Sequence, residues 1–380
     1  MMERMTEEEV KIAADGIDTL VTAAIGGKFH KWEKEPLIRS LYKVARERTP
    51  GQVPLTFYAA KGLRDHVKPG DVVLMVTGWY LPHFMSGETD GPPGTAALAR
   101  AIDLGLGATP VIMTEPKLKE IVEASCRGAG LRVYDRKEAL KIPRRVVVET
   151  PLHPYMSVEE SEKVIKQILD DLKPAAVVAV EKGSRSKTGI YHSLWGIDIT
   201  PLTGKYDRLV EEARRRGIFT IGVGDGGNEI GLGGIRDAIE KYLPVGAKCH
   251  CPCGQGVAAT TETDSMIVSF VSNWGAYGIE AALAMLLGRT DVMHSAEDEQ
   301  RILRAAAWAG AIASPYGYSG VAVVDQIPEK INVNVVEMLH YMVQAYIVET
   351  EQRKWYQETA KHQADMNTWI KEEYAAWKDK

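Results

Sequence analysis

Hydrophobic runs alternate with helical patterns through the middle of the chain. Six short apolar runs, rich in β-branched residues, have the length and composition of buried strands: Val72–Thr77, Pro110–Met113, Val146–Glu149, Ala176–Val180, Ile218–Val223 and Met266–Val271. Longer segments with apolar residues at helical spacing lie between them: Ala96–Leu106, Leu118–Ala129, Val158–Leu172 and Tyr277–Leu287. This alternation predicts an α/β fold with a largely parallel sheet flanked by helices.

Helical patterns also open and close the chain. Thr6 and Glu9 form a capping box before an amphipathic segment, and a second such segment runs from Glu35 to about Arg48. We therefore expect an N-terminal helical segment over 1–60, an α/β catalytic domain over 61–350 and a C-terminal helical tail over 351–380. Apolar residues recur in the charged tail at roughly helical spacing, which predicts that it packs on the body or on another subunit and favours a homo-oligomer.

Composition narrows the classes of function. The 380 residues are 45% hydrophobic and 26% charged, and the net charge of −5 comes without a basic stripe, so nucleic acid is not an expected partner. No apolar run approaches the roughly 20 residues of a membrane span. Residues 1–10 are charged rather than apolar, which predicts no signal peptide and a cytoplasmic location. A small molecule is the expected partner.

Carboxylates follow five of the six predicted strands. Because ligands of parallel α/β sheets gather at the carboxyl ends of the strands, these side chains are expected to lie near one another. They are Glu88 and Asp90, then Glu115, Glu149 and Glu181, and finally Asp225 and Glu229. Clustered carboxylates repel one another unless a cation lies between them, and hard oxygen ligands suit Mn²⁺ or Mg²⁺. We predict that the metal ligands are Glu88, Asp90, Asp225 and Glu229.

The loop after the fifth strand, GDGGNEIG, is dense in glycine, which lets backbone approach a ligand closely. We predict that it contacts the substrate through Gly224, Gly226, Gly227 and Asn228. A helical turn after Gly227 would place Asp225 and Glu229 on one face. Two other interpretations stay open: a dinucleotide site, because the glycines spell G-x-G-x-x-G, and a solvent-exposed turn.

The loop after the fourth strand, EKGSRSKTG, is basic and rich in hydroxyl groups. Arg185 and Lys187 are predicted to hold a substrate carboxylate or phosphate, with Ser184 as a further contact and Glu181 as a base. Asn273, after the sixth strand, offers neutral hydrogen bonds to the same ligand. A solvated basic turn is the alternative.

Three of the four cysteines alternate in the segment CHCPCG, as Cys249, Cys251 and Cys253. In an extended chain their sulfurs would spread over about 13 Å, too far for one tetrahedral ion. This spacing favours buried thiols in a tight loop, and a metal site that includes His250 is the alternative.

Four motifs carry a resemblance: GETDGPPGTAALARAI, EKGSRSKTGIYHSLWGIDIT, IGVGDGGNEIGLGG and VSNWGAYGIEAAL. In this order they resemble the D-glutamate cyclase C-terminal domain family, over about residues 15–343. The resemblance implies an α/β fold and conversion of D-glutamate to 5-oxo-D-proline and water, aided by a divalent ion such as Mn²⁺. The leading hypothesis is thus a metal-dependent lyase. A metal-dependent phosphatase of small phosphate esters, with Arg185 on the phosphoryl oxygens, and a non-catalytic metabolite-binding protein are the alternatives.

Overall fold

A computed structural model describes residues 5–24, 37–139, 142, 144–313, 320–348 and 363–378. Its strands are β1 (Val72–Thr77), β2 (Tyr80–Leu81), β3 (Ser86–Gly87), β4 (Thr109–Met113), β5 (Arg132–Tyr134), β6 (Arg145–Glu149), β7 (Ala176–Val180), β8 (Phe219–Gly224), β9 (Ser265–Val268), β10 (Val323–Val324) and β11 (Ile327–Pro328).

The helices before the last strands are α1 (Glu7–Val21), α2 (Leu37–Arg48), α3 (Leu55–His66), α4 (Pro92–Ala101), α5 (Lys119–Gly128), α6 (Arg136–Ala139), α7 (Val158–Leu172), α8 (Tyr206–Arg215), α9 (Arg236–Tyr242) and α10 (Pro244–Ala247). They are followed by α11 (Ser272–Leu287), α12 (Ala296–Trp308), α13 (Glu329–Ile347) and α14 (Gln363–Lys378). A π-helical turn, Ile102–Leu106, continues α4.

Seven strands form one parallel sheet in the order β5-β6-β4-β1-β7-β8-β9. The predicted α/β class is confirmed, and the runs of apolar residues that predicted it are buried on both faces, as in all five residues of β7. The edge strand β5 was not predicted because it is short and begins with an exposed arginine. The sixth strand ends at Val268 rather than Val271. Beyond Val268 the chain leaves the sheet, because the N–H of Phe270 donates to the carbonyl of Val21 in α1.

Helices cover both faces of the sheet and create two apolar cores. Along β1, Val73 and Met75 face the core shared with α1, α3, α4 and α11, whereas Leu74 and Val76 face the core shared with α7 and α8. Helix α11 is apolar on all sides and buried for nearly its whole length. A helix of this kind lies in the centre of a core, and the N-terminus of α11 therefore has a fixed position at the sheet.

The terminal helices agree with the pattern in part. The capping box of Thr6 and Glu9 starts α1, which confirms that prediction. Residues 35 and 36, at the predicted start of the second helix, lie outside the described residues, as do residues 349–362 of the tail. Trp369 and Trp377 of α14 are exposed, and packing of the tail on another subunit stays a prediction. Within the described segments, no helix combines the length and apolar character needed to cross a membrane.

Candidate active site

Three carboxylates meet at the carboxyl edge of the sheet. Strands β1, β7 and β8 are neighbours, so the segments that follow them bring together Asp90, Glu181 and Asp225. One carboxylate oxygen of each lies within 4.8 Å of the others, and the three residues are at most 7% exposed. We call these three residues the acidic cluster. The sequence predicted two of them as metal ligands and the third, Glu181, as a base.

Asp90 is fixed by the N-terminus of α11. Its carboxylate accepts hydrogen bonds from the backbone N–H groups of Ser272, at 2.9 Å, and Asn273, at 2.8 Å. The helix N-terminus carries partial positive charge, so it favours a carboxylate there. The next residue, Gly91, has a φ of +98°, and a Cβ there would lie 2.8 Å from the Cβ of Glu181. Glycine is thus required for the loop after β1 to approach the end of β7.

Glu181 holds a rare conformation directly after β7. Its φ of +45° is uncommon for a residue with a side chain, and such strain persists only where the surroundings enforce it. The hydroxyl of Ser272 donates to its Oε2 at 2.5 Å. Burial, followed by the negative charges of Asp225 and Glu229, raises the pKa of Glu181 well above its usual range. The protein therefore holds this carboxyl where its charged form is costly.

The glycine-dense loop after β8 places Asp225 and Glu229 side by side without a helical turn. Residues 225–228 form a bend, and Gly227 has a φ of +104°, so the condition of a helical turn after Gly227 is not met. The N–H groups of Gly226 and Gly227 instead donate to the Glu229 carboxylate, at 2.8 and 2.7 Å. Burial and the charge of Asp225 raise the pKa of Glu229 to about 7.

A cavity of about 370 Å³ opens beside the acidic cluster. Its acidic lining comprises Glu88, Glu181, Asp225, Glu229 and Asp325. Its remaining walls are Trp79, Leu81, Ser193, Leu194, Trp195, Asn228, Val245, His250 and Gln326. Neither lysine nor arginine occurs among these described lining residues. The cavity has the size of a small-ligand site and favours a ligand that carries a positive charge, or one accompanied by a cation.

The structure places the predicted basic residues elsewhere. Arg185 donates to Asp207 at 2.6 Å and to Glu211 at 2.7 Å, and Lys187 lies 3.9 Å from Glu240. Neither basic side chain belongs to the cavity lining. Their roles in binding a substrate stay predictions, and the geometry assigns them to ion pairs around α8 and α9.

The other predicted ligand contacts divide between cavity and scaffold. Asn228 lines the cavity and its Nδ2 donates to the carbonyl of His192. The Oδ1 of Asn273 accepts hydrogen bonds from Gly91 and Gly94, so this amide braces the Asp90 loop. The hydroxyl of Ser184 accepts from the backbone of residues 260 and 261. The loop glycines contribute their backbone: Gly226 and Gly227 hold Glu229, and Gly224 ends β8.

Two carboxylates after strands have basic partners instead. The Glu115 carboxylate accepts from the buried ammonium of Lys182, which also donates to the carbonyl of Gly78 at 2.8 Å. Glu149 accepts from Arg136 at 2.6 Å. These pairs neutralise their own charge within the protein, so the position after a strand did not by itself mark a carboxylate as part of the acidic cluster.

Sequence reasoning missed the far wall of the cavity. Trp79, Trp195 and His250 come from loops whose patterns gave no reason to bring them together. Asp325 and Gln326 form the tip of the β10–β11 hairpin, and both have positive φ, as a two-residue type I′ turn requires. Ser272 was also missed, although a serine at the start of a helix that follows a strand is a usable signal.

The cysteine-rich segment is bent, in agreement with the predicted tight loop, so its sulfurs are not spread over the 13 Å of an extended chain. Cys249, Cys251 and Cys253 bring their sulfurs within 3.4 Å of one another, and His192 lies beside them. His250, the histidine expected in this group, turns instead to the carbonyl of Trp195.

A parallel sheet with buried carboxylates at its carboxyl edge defines an α/β protein with an oxygen-donor site suited to a small ligand. A family model described as D-glutamate cyclase-like, C-terminal, matches residues 32–340, so the chain belongs to that family and the predicted resemblance is confirmed. The chain is also 29% identical, over 224 residues, to the mitochondrial D-glutamate cyclase of Homo sapiens. That match covers 56% of this chain and 33% of the human protein, so the chain spans about a third of that relative's length.

Proposed function

We propose that this protein is a divalent-metal-dependent lyase that cyclises D-glutamate, or a closely similar amino acid, with loss of water. The observation that carries the proposal is the acidic cluster, Asp90, Glu181 and Asp225, beside a cavity lined by further carboxylates. Membership of the D-glutamate cyclase-like family supports the choice of substrate. The chain's partial match to the human enzyme supports the same reaction.

The acidic cluster fits Mn²⁺ or Mg²⁺. Its donors are carboxylate oxygens from three different loops, which these hard cations prefer, and burial together with the neighbouring negative charges raises the pKa of Glu181. Asp90, Glu181 and Asp225 would hold the ion, and Glu88 in the cavity lining would complete the set. When bound, the ion supplies a Lewis acid for the substrate's γ-carboxylate. The place of Glu181 in the cluster favours a ligand over the base first predicted.

The reaction joins the α-nitrogen to the γ-carboxyl carbon, and one carbon–oxygen bond breaks. The ammonium group gives up two protons in all, and these leave with the released oxygen as water. Glu229 is suited to carry them, because its pKa of about 7 lies near neutrality and two backbone N–H groups fix its carboxyl.

The cavity walls orient the substrate. The acidic lining attracts the ammonium group, and Asn228 and Ser193 offer neutral hydrogen bonds to a carboxylate. Trp79 and Trp195 contribute apolar surface that limits the water around the reacting atoms. The phosphatase alternative placed Arg185 on the phosphoryl oxygens, and this side chain is held instead by Asp207 and Glu211. No observation favours that alternative.

The test is direct conversion. Metal-stripped protein is supplied with Mn²⁺ or Mg²⁺ and with D-glutamate or L-glutamate, and 5-oxoproline is measured by chiral chromatography with mass detection. We expect product from D-glutamate only when the ion is present. Asp90→Asn and Asp225→Asn should each lower the rate on the order of 10³-fold, because the loss of several kcal/mol of charge stabilisation has that effect.

Glu262→Gln is the matched control, since this carboxylate pairs with Arg214 at the surface, away from the cavity. Its rate should equal that of the native protein. Hydrolysis of p-nitrophenyl phosphate without formation of 5-oxoproline would replace the lyase with the phosphatase. Ligand-induced thermal stabilisation without any product would replace it with a metabolite-binding protein.

A further inference from the structure

We propose that Cys249, Cys251, Cys253 and His192 form a structural zinc site, distinct from the acidic cluster. The ligand atoms of these four residues all lie within 4.8 Å of one another. They come from two loops, one after β7 and one after α10, that approach each other beside the cavity. Three cysteines and one histidine are a common ligand set of structural zinc sites.

The distances describe a small tetrahedron. The three sulfur–sulfur separations are 3.4, 3.2 and 3.1 Å, and Nε2 of His192 lies 3.2 Å from Cys251 Sγ and 3.4 Å from Cys253 Sγ. Zinc–sulfur bonds of about 2.3 Å give tetrahedral sulfur–sulfur edges of about 3.8 Å. An outward shift of each sulfur by a few tenths of an ångström therefore makes room for the ion.

The arrangement differs from that of a disulfide. A disulfide pairs two sulfurs at about 2.05 Å and leaves the third cysteine apart, whereas all three sulfurs here are free and nearly equidistant. Spacing by one residue also makes a disulfide between adjacent cysteines of this segment a very small ring. A single ion can bind all three sulfurs and the imidazole nitrogen at once. The three cysteines bind it as thiolates, after they release their protons.

Four protein ligands close the coordination shell, so this ion would hold structure rather than bind substrate. The structure it would hold is a wall of the cavity. Ser193, Leu194 and Trp195 follow His192 directly, and the carbonyl of Gly196 accepts hydrogen bonds from the N–H groups of His250 and Cys251. The carbonyl of His192 also accepts from Asn228, next to the acidic loop. The zinc site would thus set the position of one side of the cavity.

Metal content and cobalt spectroscopy test the proposal. Protein expressed without a histidine tag and dialysed against a chelating resin should retain about one zinc ion per chain. Inductively coupled plasma mass spectrometry measures this content. After zinc is exchanged for Co²⁺, thiolate-to-cobalt charge-transfer bands and intense visible bands of tetrahedral cobalt should appear. An ion at the carboxylates of the acidic cluster would give neither, so Asp225→Asn should leave these bands unchanged.

Matched variants locate the ion. Cys251→Ser and Cys253→Ser should lose the retained zinc, and His192→Gln should weaken its retention. Cys126→Ser and His250→Gln should keep it, because Cys126 is a buried residue of α5 outside this group and the His250 ring contacts Trp195 instead. The native protein's own zinc content and cobalt spectrum decide the matter even if a cysteine variant fails to fold.

Three results would overturn the proposal. They are native protein that holds no zinc while the thiols of Cys249, Cys251 and Cys253 react with a thiol reagent, a disulfide within residues 249–253 by peptide mass analysis, and retained zinc that survives the loss of Cys251 or Cys253. Iron in place of zinc in native protein would overturn the identity of the ion.

Discussion

Two groups of buried acids in this protein have opposite electrostatic surroundings. Between α11 and α12, His294 lies 2.6 Å from Glu280 and 3.4 Å from Glu299, and all three side chains are fully buried. In the acidic cluster, the charges that act most strongly on Glu181 come from other carboxylates. The first group carries its own cation, and Glu280 holds the pKa of His294 up at about 10 despite burial.

The difference separates a structural group from a functional one. The Glu280–His294–Glu299 group lies in the helix packing with a cation among its own residues, and Tyr277 adds a hydrogen bond to Glu299 at 2.9 Å. The acidic cluster borders an open cavity, and burial together with the neighbouring carboxylates raises the pKa of Glu181. Natural proteins keep destabilising arrangements of this kind where function requires them. Removal of a charge should therefore lower the free energy of unfolding in the first group and raise it in the acidic cluster.

The largest effect is expected from removal of the internal cation. His294→Gln leaves Glu280 and Glu299 buried without their partner, and we expect the free energy of unfolding to fall by roughly 3–5 kcal/mol. Urea denaturation at pH 7 measures it. His83→Gln is the control, because that histidine is exposed and its loss should change stability by no more than about 0.5 kcal/mol. Equal stability of the two variants would show that the buried group contributes nothing.

A pH dependence of stability should follow from the same histidine. Its pKa of about 10 in the folded protein lies above the unfolded value of 6.5, so its contribution is complete below pH 6.5 and is lost as the pH rises through 10. The slope is at most about 1.4 kcal/mol per pH unit for one proton. Urea denaturation from pH 6.5 to 10 should therefore show native protein and His294→Gln converging. Parallel curves would contradict the raised pKa.

A smaller effect, of opposite sign, is expected in the acidic cluster. In the presence of a chelator at pH 8, Asp225→Asn should raise the free energy of unfolding by roughly 1 kcal/mol, because it removes one of several like charges while it preserves the side chain's shape. Glu280→Gln is the control, because it preserves the shape of its side chain in the same way, and it should lower the free energy of unfolding. A loss of stability in Asp225→Asn would mean that Asp225 is a structural residue like Glu280.

The fold followed from the sequence because buried parallel strands are continuous apolar runs, and each of the six was placed within a few residues. Asp90 and Asp225 were predicted as ligands because they follow predicted parallel strands, and the sheet places those two strands, β1 and β8, on either side of β7. The same logic included Glu115 and Glu149, since no local pattern reveals that Lys182 or Arg136 lies across the sheet from them.

The remaining features depend on contacts distant in the chain or on backbone conformation. The ion pairs of Arg185 with Asp207 and Glu211 depend on how α8 packs, which residue type does not disclose. The cysteine segment was predicted as a tight loop, but its meeting with His192, 57 to 61 residues away, depends on the path of two loops. The strain at Glu181 is likewise a consequence of the assembled site and has no signature in the sequence.

The central claim is that the acidic cluster binds a divalent cation, and thermal denaturation during a Mn²⁺ titration tests it most directly. The melting temperatures of native protein and of Glu280→Gln should both rise as Mn²⁺ is raised to millimolar concentration. At 100 times Kd, this rise corresponds to about 2.7 kcal/mol of added stability. Asp225→Asn should lose most of that response while it stays folded, and Glu229→Gln should lose part of it. Equal shifts in native protein and Asp225→Asn, or no shift in native protein, would contradict the account.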